Sequence, residues 1–272
     1  MDSFAKHEML LQEETIKLLN GQEWSRDDLL KQMDDDSFYY GFLGRCALSS
    51  SSLKKLLQSP KAYYLSLKFS ESHQAFRDGR LIHLFALEPE KTKDLIVTEG
   101  TKARKEFKDA VVEHGDQMVY TESEMRQAKK VAEAMEKNSE VRMLLSDMDF
   151  EVPGIGVIDG IPFRAKADAI SKDRKLIVDL KTTNDIYSFP WSAKKYKYAL
   201  QAELYKRIFG ADEFIFLVID KGTLDIGIYD CSDSFFEEGA RDLSRGIETY
   251  KEHFYNENFE ELLNEYVIRG IL

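Results

Sequence analysis

An acidic and a basic side chain interrupt an otherwise apolar, strand-like segment in the second half of the chain. In the run Ile177-Val178-Asp179-Leu180-Lys181-Thr182-Thr183, Asp179 and Lys181 lie two residues apart, and Asp168 lies in the preceding strand-like run. Carboxylate oxygens are the ligands that hard cations such as Mg²⁺ prefer, and a nearby lysine can orient or deprotonate an attacking water. Because an unpartnered charge in a buried strand is costly, we predict a metal ion between these acids.

The two-residue period of a strand places the charged residues of both runs on one face. Arg164, Lys166 and Asp168 alternate with apolar or small residues over 163–170, and Asp179 and Lys181 alternate with leucine and valine over 176–181. Taken singly, each charge fits an ordinary solvent-facing strand position. The combination of two acids and a lysine is what indicates metal-assisted hydrolysis.

The polar turn at residues 171–174 sets the register expected for these two strands. If it pairs Ile170 with Lys175, Asp168 lies opposite Ile177, and Asp179 is its diagonal neighbour on the same face at roughly 7–8 Å between Cα atoms. Side chains can close that distance around one cation.

The remaining pattern predicts an α+β (α/β/α-like) fold, with a mixed central sheet flanked by helices. Residues 1–45 form an N-terminal helical appendage with helices at 4–20 and 26–33, followed by the acidic run Asp34–Asp36, which we interpret as a solvated loop; residues 46–272 form the main domain. Further helices are expected at about 49–58, 60–68, 74–88, 102–113, 122–145, 192–209 and from 233, and strands at 95–97, 118–120, 150–158, 161–170, 175–183, 214–219 and 224–229.

Composition excludes several classes of protein. The chain has 272 residues, 43% of them hydrophobic, enough to bury one sizeable core. Its two cysteines, Cys46 and Cys231, provide neither a disulfide framework nor a four-cysteine metal site. No apolar run has the length of a signal peptide or a membrane span, so we expect a cytoplasmic protein. The net charge of −11 disfavours nucleic-acid binding unless basic residues are clustered locally.

The catalytic pattern resembles the nuclease motif of the PD-(D/E)XK superfamily. Ala167-Asp168 stands at the position of the first acid, and Asp179-Leu180-Lys181 at the D-x-K. Three flanking signatures occur in the order typical of the RecB-like branch and of its RecE-type (exonuclease VIII) phage and prophage members, and the resemblance spans about residues 48–255. The superfamily resemblance implies a PD-(D/E)XK nuclease core.

The first signature is Gly79-Arg80-Leu81-Ile82-His83 with the ending Leu87-Glu88-Pro89, similar to a G-x-x-x-H helix whose histidine binds metal. The second is Gln201-Ala202-Glu203-Leu204-Tyr205, similar to a Q-x-x-x-Y helix that holds the lysine or the scissile phosphate. The third is Ser50-Ser51-Ser52-Leu53 with Ser59-Pro60, similar to the S-x-S-x-L…P motif. As a plain helix N-cap, this serine run would need no DNA at all.

The resemblance implies roles for a defined set of residues. One or two divalent ions, Mg²⁺ with Mn²⁺ able to substitute, would be held by His83, Asp168, Asp179 and the Leu180 carbonyl. Catalysis would involve Lys181, Asp168, Asp179, Gln201 and Tyr205. Contacts to DNA are expected from Ser50, Ser52, Arg80, Arg164, Lys166, Lys194, Lys195 and Lys197. No iron–sulfur cluster is expected, because the flanking cysteines of some relatives are missing here.

The implied function is metal-dependent exonucleolytic digestion of linear double-stranded DNA, 5′ to 3′, which leaves 3′ single-stranded tails for phage-type recombination. The resemblance also implies a homo-oligomeric ring around DNA ends, a single-strand annealing protein as partner, and a phage or prophage gene in a bacterial host. Two alternatives stay open: a structure-specific endonuclease of the same fold, and a non-catalytic nuclease-fold module that binds or inhibits a partner.

Overall fold

The N-terminal part of the chain is a short hairpin followed by helical turns. The computed structural model describes residues 14–68, 74–255, 259–264 and 267. Its first elements are β1 (Thr15–Lys17), β2 (Glu23–Ser25), α1 (Arg26–Gln32), a π-helical turn (Ser37–Phe42) and α2 (Leu43–Cys46). The helix expected over 4–20 is wrong for residues 15–17, and residues 1–13 lie outside the described residues. Ile16 and Leu18 are both buried, which is the two-residue period of a strand.

A helical region links this part to the central sheet. It contains α3 (Ser50–Gln58), α4 (Pro60–Lys68), α5 (Gln74–Leu87), a 3₁₀ turn (Pro89–Asp94), β3 (Ile96–Thr98), α6 (Lys105–His114), β4 (Val119–Thr121), α7 (Glu122–Lys137) and α8 (Ser139–Leu145). Strands β3 and β4 pair in parallel. The single helix expected over 122–145 is divided, because the Asn138 side chain accepts hydrogen bonds from the Glu140 and Val141 amides and begins a new helix.

A five-stranded mixed sheet forms the centre of the protein. Its region contains β5 (Asp149–Ile158), β6 (Ile161–Ser171), β7 (Leu176–Thr183), a 3₁₀ turn (Ile186–Ser188), α9 (Phe189–Lys195), α10 (Tyr198–Phe209), β8 (Glu213–Asp220), β9 (Ile226–Asp230), α11 (Asp233–Phe254) and α12 (Phe259–Asn264). The strand order is β5-β6-β7-β8-β9, and only β7 and β8 pair in parallel. The predicted α+β fold with a mixed sheet flanked by helices is therefore confirmed.

The helix expected over 192–209 is also two helices. Lys197 adopts a left-handed backbone conformation with φ of 52° and separates α9 from α10. The second of these helices begins at Tyr198 and carries Gln201 and Tyr205, so the break determines how both side chains approach the sheet.

The register predicted for β6 and β7 is wrong by two residues. Ile170 pairs with Ile177 and Ser171 with Leu176, so the turn comprises residues 172–175. Lys175 takes a left-handed conformation with φ of 48°, and its amide donates to the Lys172 carbonyl at 3.2 Å, which closes the turn one residue later than expected. Beyond the last pair, Ala169 with Val178, the same register would place Asp168 opposite Asp179.

The two faces of β7 are covered by different helices. Leu176, Val178 and Leu180 pack in a core with residues of α5 and α7, whereas Ile177 packs with residues of α10 on the opposite face. The N-terminal hairpin and α1 pack against Ile155 of β5. No helix among the described residues has both the length and the apolarity needed to cross a membrane.

Helices α10 and α11 pack closely at Gly239. A Cβ at this position would overlap the carbonyl oxygen of Ala199, which is backbone and cannot rotate away. We expect Gly239→Ala to lower the free energy of unfolding by about 1–3 kcal/mol, because overpacking forces the two helices apart. Gly246→Ala on the same helix is the matched control, since its Cβ would meet only the flexible end of Leu53 at 2.9 Å. Thermal unfolding measures both, and equal melting temperatures for the two variants would contradict this interpretation.

Candidate active site

Three potential metal-ligating side chains converge beside the central sheet. His83, Glu151 and Asp168 each offer one ligand atom, and these atoms all lie within 4.8 Å of one another. They come from α5, β5 and β6 respectively. Two carboxylates and an imidazole therefore meet at one point, as the sequence predicts for His83 and Asp168 but not for Glu151.

The hairpin between β5 and β6 brings the two acids together. Its turn, Asp159-Gly160, has φ values of 51° and 80°, which suit a tight two-residue hairpin. The register pairs Phe150 with Ala169 and Val152 with Ala167, so Glu151 is level with Asp168. Glu151 itself has a φ of 51°, a left-handed conformation within the strand, and forms no ladder pair.

His83 reaches the edge of β7 from α5. Its Nε2 donates a hydrogen bond to the Leu180 carbonyl at 2.9 Å, while its Nδ1 lies 3.6 Å from Asp168 Oδ2. The same Asp168 oxygen accepts the Leu180 amide at 2.8 Å. His83 thus lies next to both of the other predicted ligands, the Leu180 carbonyl and Asp168.

The proximity of Glu151 and Asp168 is electrostatically unfavourable in the absence of a cation. Burial, and then the neighbouring Asp168 charge, raise the pKa of Glu151 to about 8. Burial also raises the pKa of Asp168, although His83 acts in the opposite direction. A proton or a metal ion is needed to balance the charge of these acids near neutral pH.

Asp179 occupies a separate, more deeply buried position. It is only 1% exposed; its Oδ1 accepts a hydrogen bond from Gln201 Nε2 at 2.6 Å, and its Oδ2 lies 2.5 Å from Lys181 Nζ. The structure brings together Asp179, Lys181 and Gln201, although Gln201 binds the acid and not the lysine. Oδ1 is thus hydrogen-bonded, whereas the buried Oδ2 has an ion pair with Lys181 but accepts no hydrogen bond, and neither oxygen is part of the cluster around His83.

Lys181 is held as an ammonium by the acids around it. Burial alone would lower its pKa, but the charges of Asp179 and then Asp168 raise the pKa above the ordinary lysine value. Its Nζ also lies 5.0 Å from the centroid of the Tyr198 ring. In this state the side chain can donate hydrogen bonds but cannot accept a proton.

A second lysine, absent from the sequence-based set, faces the same ring. Lys54 in α3 places its Nζ 5.0 Å from the Tyr198 centroid. Burial, and then the charge of Lys181, lower the pKa of Lys54 to about 7. Nothing in the spacing of the serine motif singles out this residue before the packing of α3 is known.

Tyr205 and the serine motif are held by aromatic packing and by helix capping. The Tyr205 ring packs against Phe209 and Phe214, and burial raises its pKa well above the ordinary tyrosine value. Ser49 is the N-cap of α3, where its Oγ accepts the Ser52 amide, and Ser50 is buried in the first turn. The N-cap interpretation of this motif accounts for Ser49.

Arg80 and Lys166 lie next to the metal-ligating cluster and share an acidic partner. Arg80 precedes His83 by one helical turn, and Lys166 precedes Asp168 on the same strand face. The Asp36 carboxylate lies 3.2 Å from both Arg80 Nη2 and Lys166 Nζ. Asp36, interpreted from sequence as part of a solvated loop, is therefore a partner of two residues expected to bind DNA.

The other predicted DNA-binding residues occupy different settings. Arg164 is buried, with its guanidinium 4.5 Å from the centroid of Tyr39, and so it presents no free surface to a ligand. Lys197 is paired with Asp242 at 2.7 Å. Lys194 and Lys195 are exposed on α9, where Lys195 also lies near the Trp191 ring.

The donor set around His83 fits a divalent cation. One imidazole nitrogen, two carboxylates and a backbone carbonyl are a combination suited to Mg²⁺ or Mn²⁺, and the imidazole favours Mn²⁺ somewhat. The close approach of the Glu151 and Asp168 carboxylates supports this fit, because a cation between them would offset both their burial and their repulsion.

Comparison with known proteins identifies the family of this chain. The model of a PDDEXK-like domain of unknown function matches residues 49–260, which include all the residues of this site except Asp36 and Tyr39. The chain belongs to this PDDEXK-like family. No curated protein matches the chain.

A solved structure shares the fold of this chain. An inferred exonuclease from Eubacterium rectale superimposes with a TM-score of 0.60 at 16% identity, over 87% of this chain and 94% of that one. A phage-related exonuclease from Haemophilus somnus 129PT also matches, over 80% of this chain and 96% of that one, at 15% identity and a TM-score of 0.35.

Glu151 provides a test of the metal site. We expect Glu151→Gln to weaken Mn²⁺ binding by at least ~10-fold, since even the outer partners of metal ligands commonly contribute that much. Titration calorimetry, together with the Mn²⁺-induced rise in melting temperature, measures the effect. Asp149→Asn is the matched control, because Asp149 is an exposed acid on the same strand. Equal Mn²⁺ affinity in Glu151→Gln and wild type would remove Glu151 from the ligand set.

Proposed function

We propose that the protein is a divalent-metal-dependent DNA nuclease, and specifically a RecE-type exonuclease acting on linear duplex ends. The observation that carries the proposal is the convergence of His83, Glu151 and Asp168, with His83 bonded to the Leu180 carbonyl, beside the buried pair of Asp179 and Lys181. The PD-(D/E)XK family and the fold shared with an inferred exonuclease support the same activity.

Separate groups of residues would bind the metal, orient the attacking water and position the acids. His83, Glu151, Asp168 and the Leu180 carbonyl would hold the metal, which supplies charge stabilisation at the phosphate and lowers the pKa of a bound water. Lys181 donates a hydrogen bond that orients the attacking water or a phosphate oxygen, because its neighbouring acids keep it protonated. Gln201 fixes the Asp179 carboxylate and thereby the position of Lys181.

Asp179 joins the ligand set in this proposal only if its partners rearrange. Its Oδ2 is engaged by Lys181, so coordination by that oxygen requires the ammonium to turn toward the substrate. The exchange is physically reasonable, because a phosphate brings the negative charge that Lys181 gives up on leaving Asp179. Mg²⁺ and Mn²⁺ are both expected to support activity.

The proposed mode of action follows the RecE-type assignment. It comprises 5′-to-3′ digestion with 3′ single-stranded tails as product, a homo-oligomeric ring, and a single-strand annealing protein as partner in phage-type recombination. Lys194 and Lys195 are exposed cations on α9 that could follow the DNA backbone.

The decisive test compares linear 5′-phosphorylated duplex with covalently closed circular duplex in Mg²⁺, Mn²⁺ or EDTA. We expect metal-dependent loss of the linear form alone, and a fall of ~100-fold or more in rate for Lys181→Ala, as when a group that positions or transfers protons is removed. Lys172→Ala in the exposed turn before β7 is the matched control. Cutting of circles would indicate an endonuclease, and DNA or protein binding without digestion in any metal would indicate a non-catalytic module.

The pairing of Asp36 tests whether Arg80 and Lys166 bind DNA. A phosphate must replace the Asp36 carboxylate at these cations, so Asp36→Asn is expected to tighten duplex binding roughly two- to fivefold, given the modest energies of partly exposed ion pairs. Asp34→Asn makes the same charge change at an exposed neighbour. Fluorescence anisotropy with Ca²⁺ in place of Mg²⁺ measures both. If the two variants bind equally, Arg80 and Lys166 do not meet DNA at this position.

A further inference from the structure

Lys54 brings an ammonium into the site without an acid to balance it. Its side chain is half-buried on α3, and no acidic group among the described residues lies within ion-pair distance of its Nζ. By contrast, the neighbouring Lys181 is paired with Asp179 at 2.5 Å. Burying a cation without an anion is unfavourable, so the position of Lys54 requires an explanation.

Packing of α3 against the other helices fixes Lys54 in this place. The preceding Leu53 is fully buried, and its side chain lies against Gly246 of α11. Lys54 consequently projects toward Tyr198, the first residue of α10, whose ring lies 5.0 Å from the Nζ atoms of both Lys54 and Lys181. Gln201, one turn along α10, holds Asp179.

The aromatic contact alone does not account for this arrangement. A cation beside an aromatic ring is attracted by the negative face of the ring, but here a second ammonium shares the ring and repels the first. Asp179 attracts Lys54 only from beyond ion-pair distance, and its carboxylate is already engaged by Lys181 and Gln201. Among the described residues, this cluster has two lysines, Lys54 and Lys181, for the single acid Asp179, and an anionic ligand would balance the second lysine.

We propose that Lys54 binds a non-bridging oxygen of the phosphodiester being cleaved, on the Asp179 side of the site and next to Lys181. This inference rests on the proposed nuclease function and names a residue through which the substrate is held. Ammonium and phosphate form a charge-assisted hydrogen bond, and a preformed, partly desolvated donor of this kind stabilises charge that develops on the phosphate. An incoming phosphate also restores the ordinary charge state of Lys54, because a nearby anion favours the protonated form.

The experiment compares wild type with Lys54→Met, Lys54→Arg and Lys55→Met. Lys55 is the matched control, since it is the adjacent residue on α3, is exposed, and undergoes the same loss of charge. Binding of a 5′-phosphorylated duplex is measured by anisotropy in Ca²⁺ at pH 6.5 over a range of KCl concentrations, and digestion of the same duplex is measured in Mg²⁺. Thermal unfolding checks the fold of each variant, and Lys54→Gln replaces Lys54→Met if the latter is unfolded.

Loss of one phosphate contact lowers the slope of log K against log salt by about 0.9, and loss of a charge-assisted hydrogen bond lowers kcat/KM by ~10- to 100-fold. We expect both effects for Lys54→Met, partial recovery for Lys54→Arg, and neither for Lys55→Met. A purely structural role would leave the salt slope unchanged.

The two proposals fail in different ways. An unchanged salt slope in Lys54→Met, a kcat/KM within twofold of wild type, or an equal fall in slope for Lys55→Met would overturn the role of Lys54 while wild-type digestion leaves the nuclease intact. If wild type digests no DNA, the nuclease proposal fails, and the salt slope alone decides whether Lys54 binds phosphate.

Discussion

Two carboxylates held at the same level of adjacent strands are the constraint around which the site is arranged. The two-residue turn at Asp159-Gly160 fixes the register of β5 against β6, and that register brings Glu151 level with Asp168. Burial, and then the repulsion from Asp168, raise the pKa of Glu151. The strand ladder, the hairpin turn and the α5 helix stabilise an arrangement that the acids alone would oppose, as is common where a fold maintains a functional site.

Much of the architecture was accessible from the sequence because periodicity and turn chemistry are local signals. The hairpin at Asp159-Gly160, the alternation of Leu176, Val178 and Leu180, and the helix that begins after Ser49 all depend on residues close together in the chain. The contacts of His83 with Asp168 and of Gln201 with Asp179 bring together residues far apart in sequence, and these depended on the family resemblance and not on periodicity.

The missed features depend on tertiary structure or on exact turn closure. Glu151 could have been found from the Asp159-Gly160 turn. This turn pairs Ile158 with Ile161, and counting back from that pair places Glu151 opposite Asp168. The predicted pairing of β6 with β7 was wrong because Lys175 adopts a left-handed backbone conformation, which a lysine in the sequence does not indicate. Lys54 and Asp36 could not be found in this way, since both meet the site through the packing of segments that are distant along the chain.

The contact of Asp36 with Arg80 and Lys166 also affects how tightly any phosphate can be retained there. Because the two cations are already satisfied, a ligand gains only the difference between its own interaction and that of the carboxylate it replaces. In the proposed nuclease, the Asp36 carboxylate would return to Arg80 and Lys166 each time a phosphate leaves, so these cations would keep an anionic partner. Such an exchange would weaken the hold on any single phosphate, which suits a protein that steps along a polyanion.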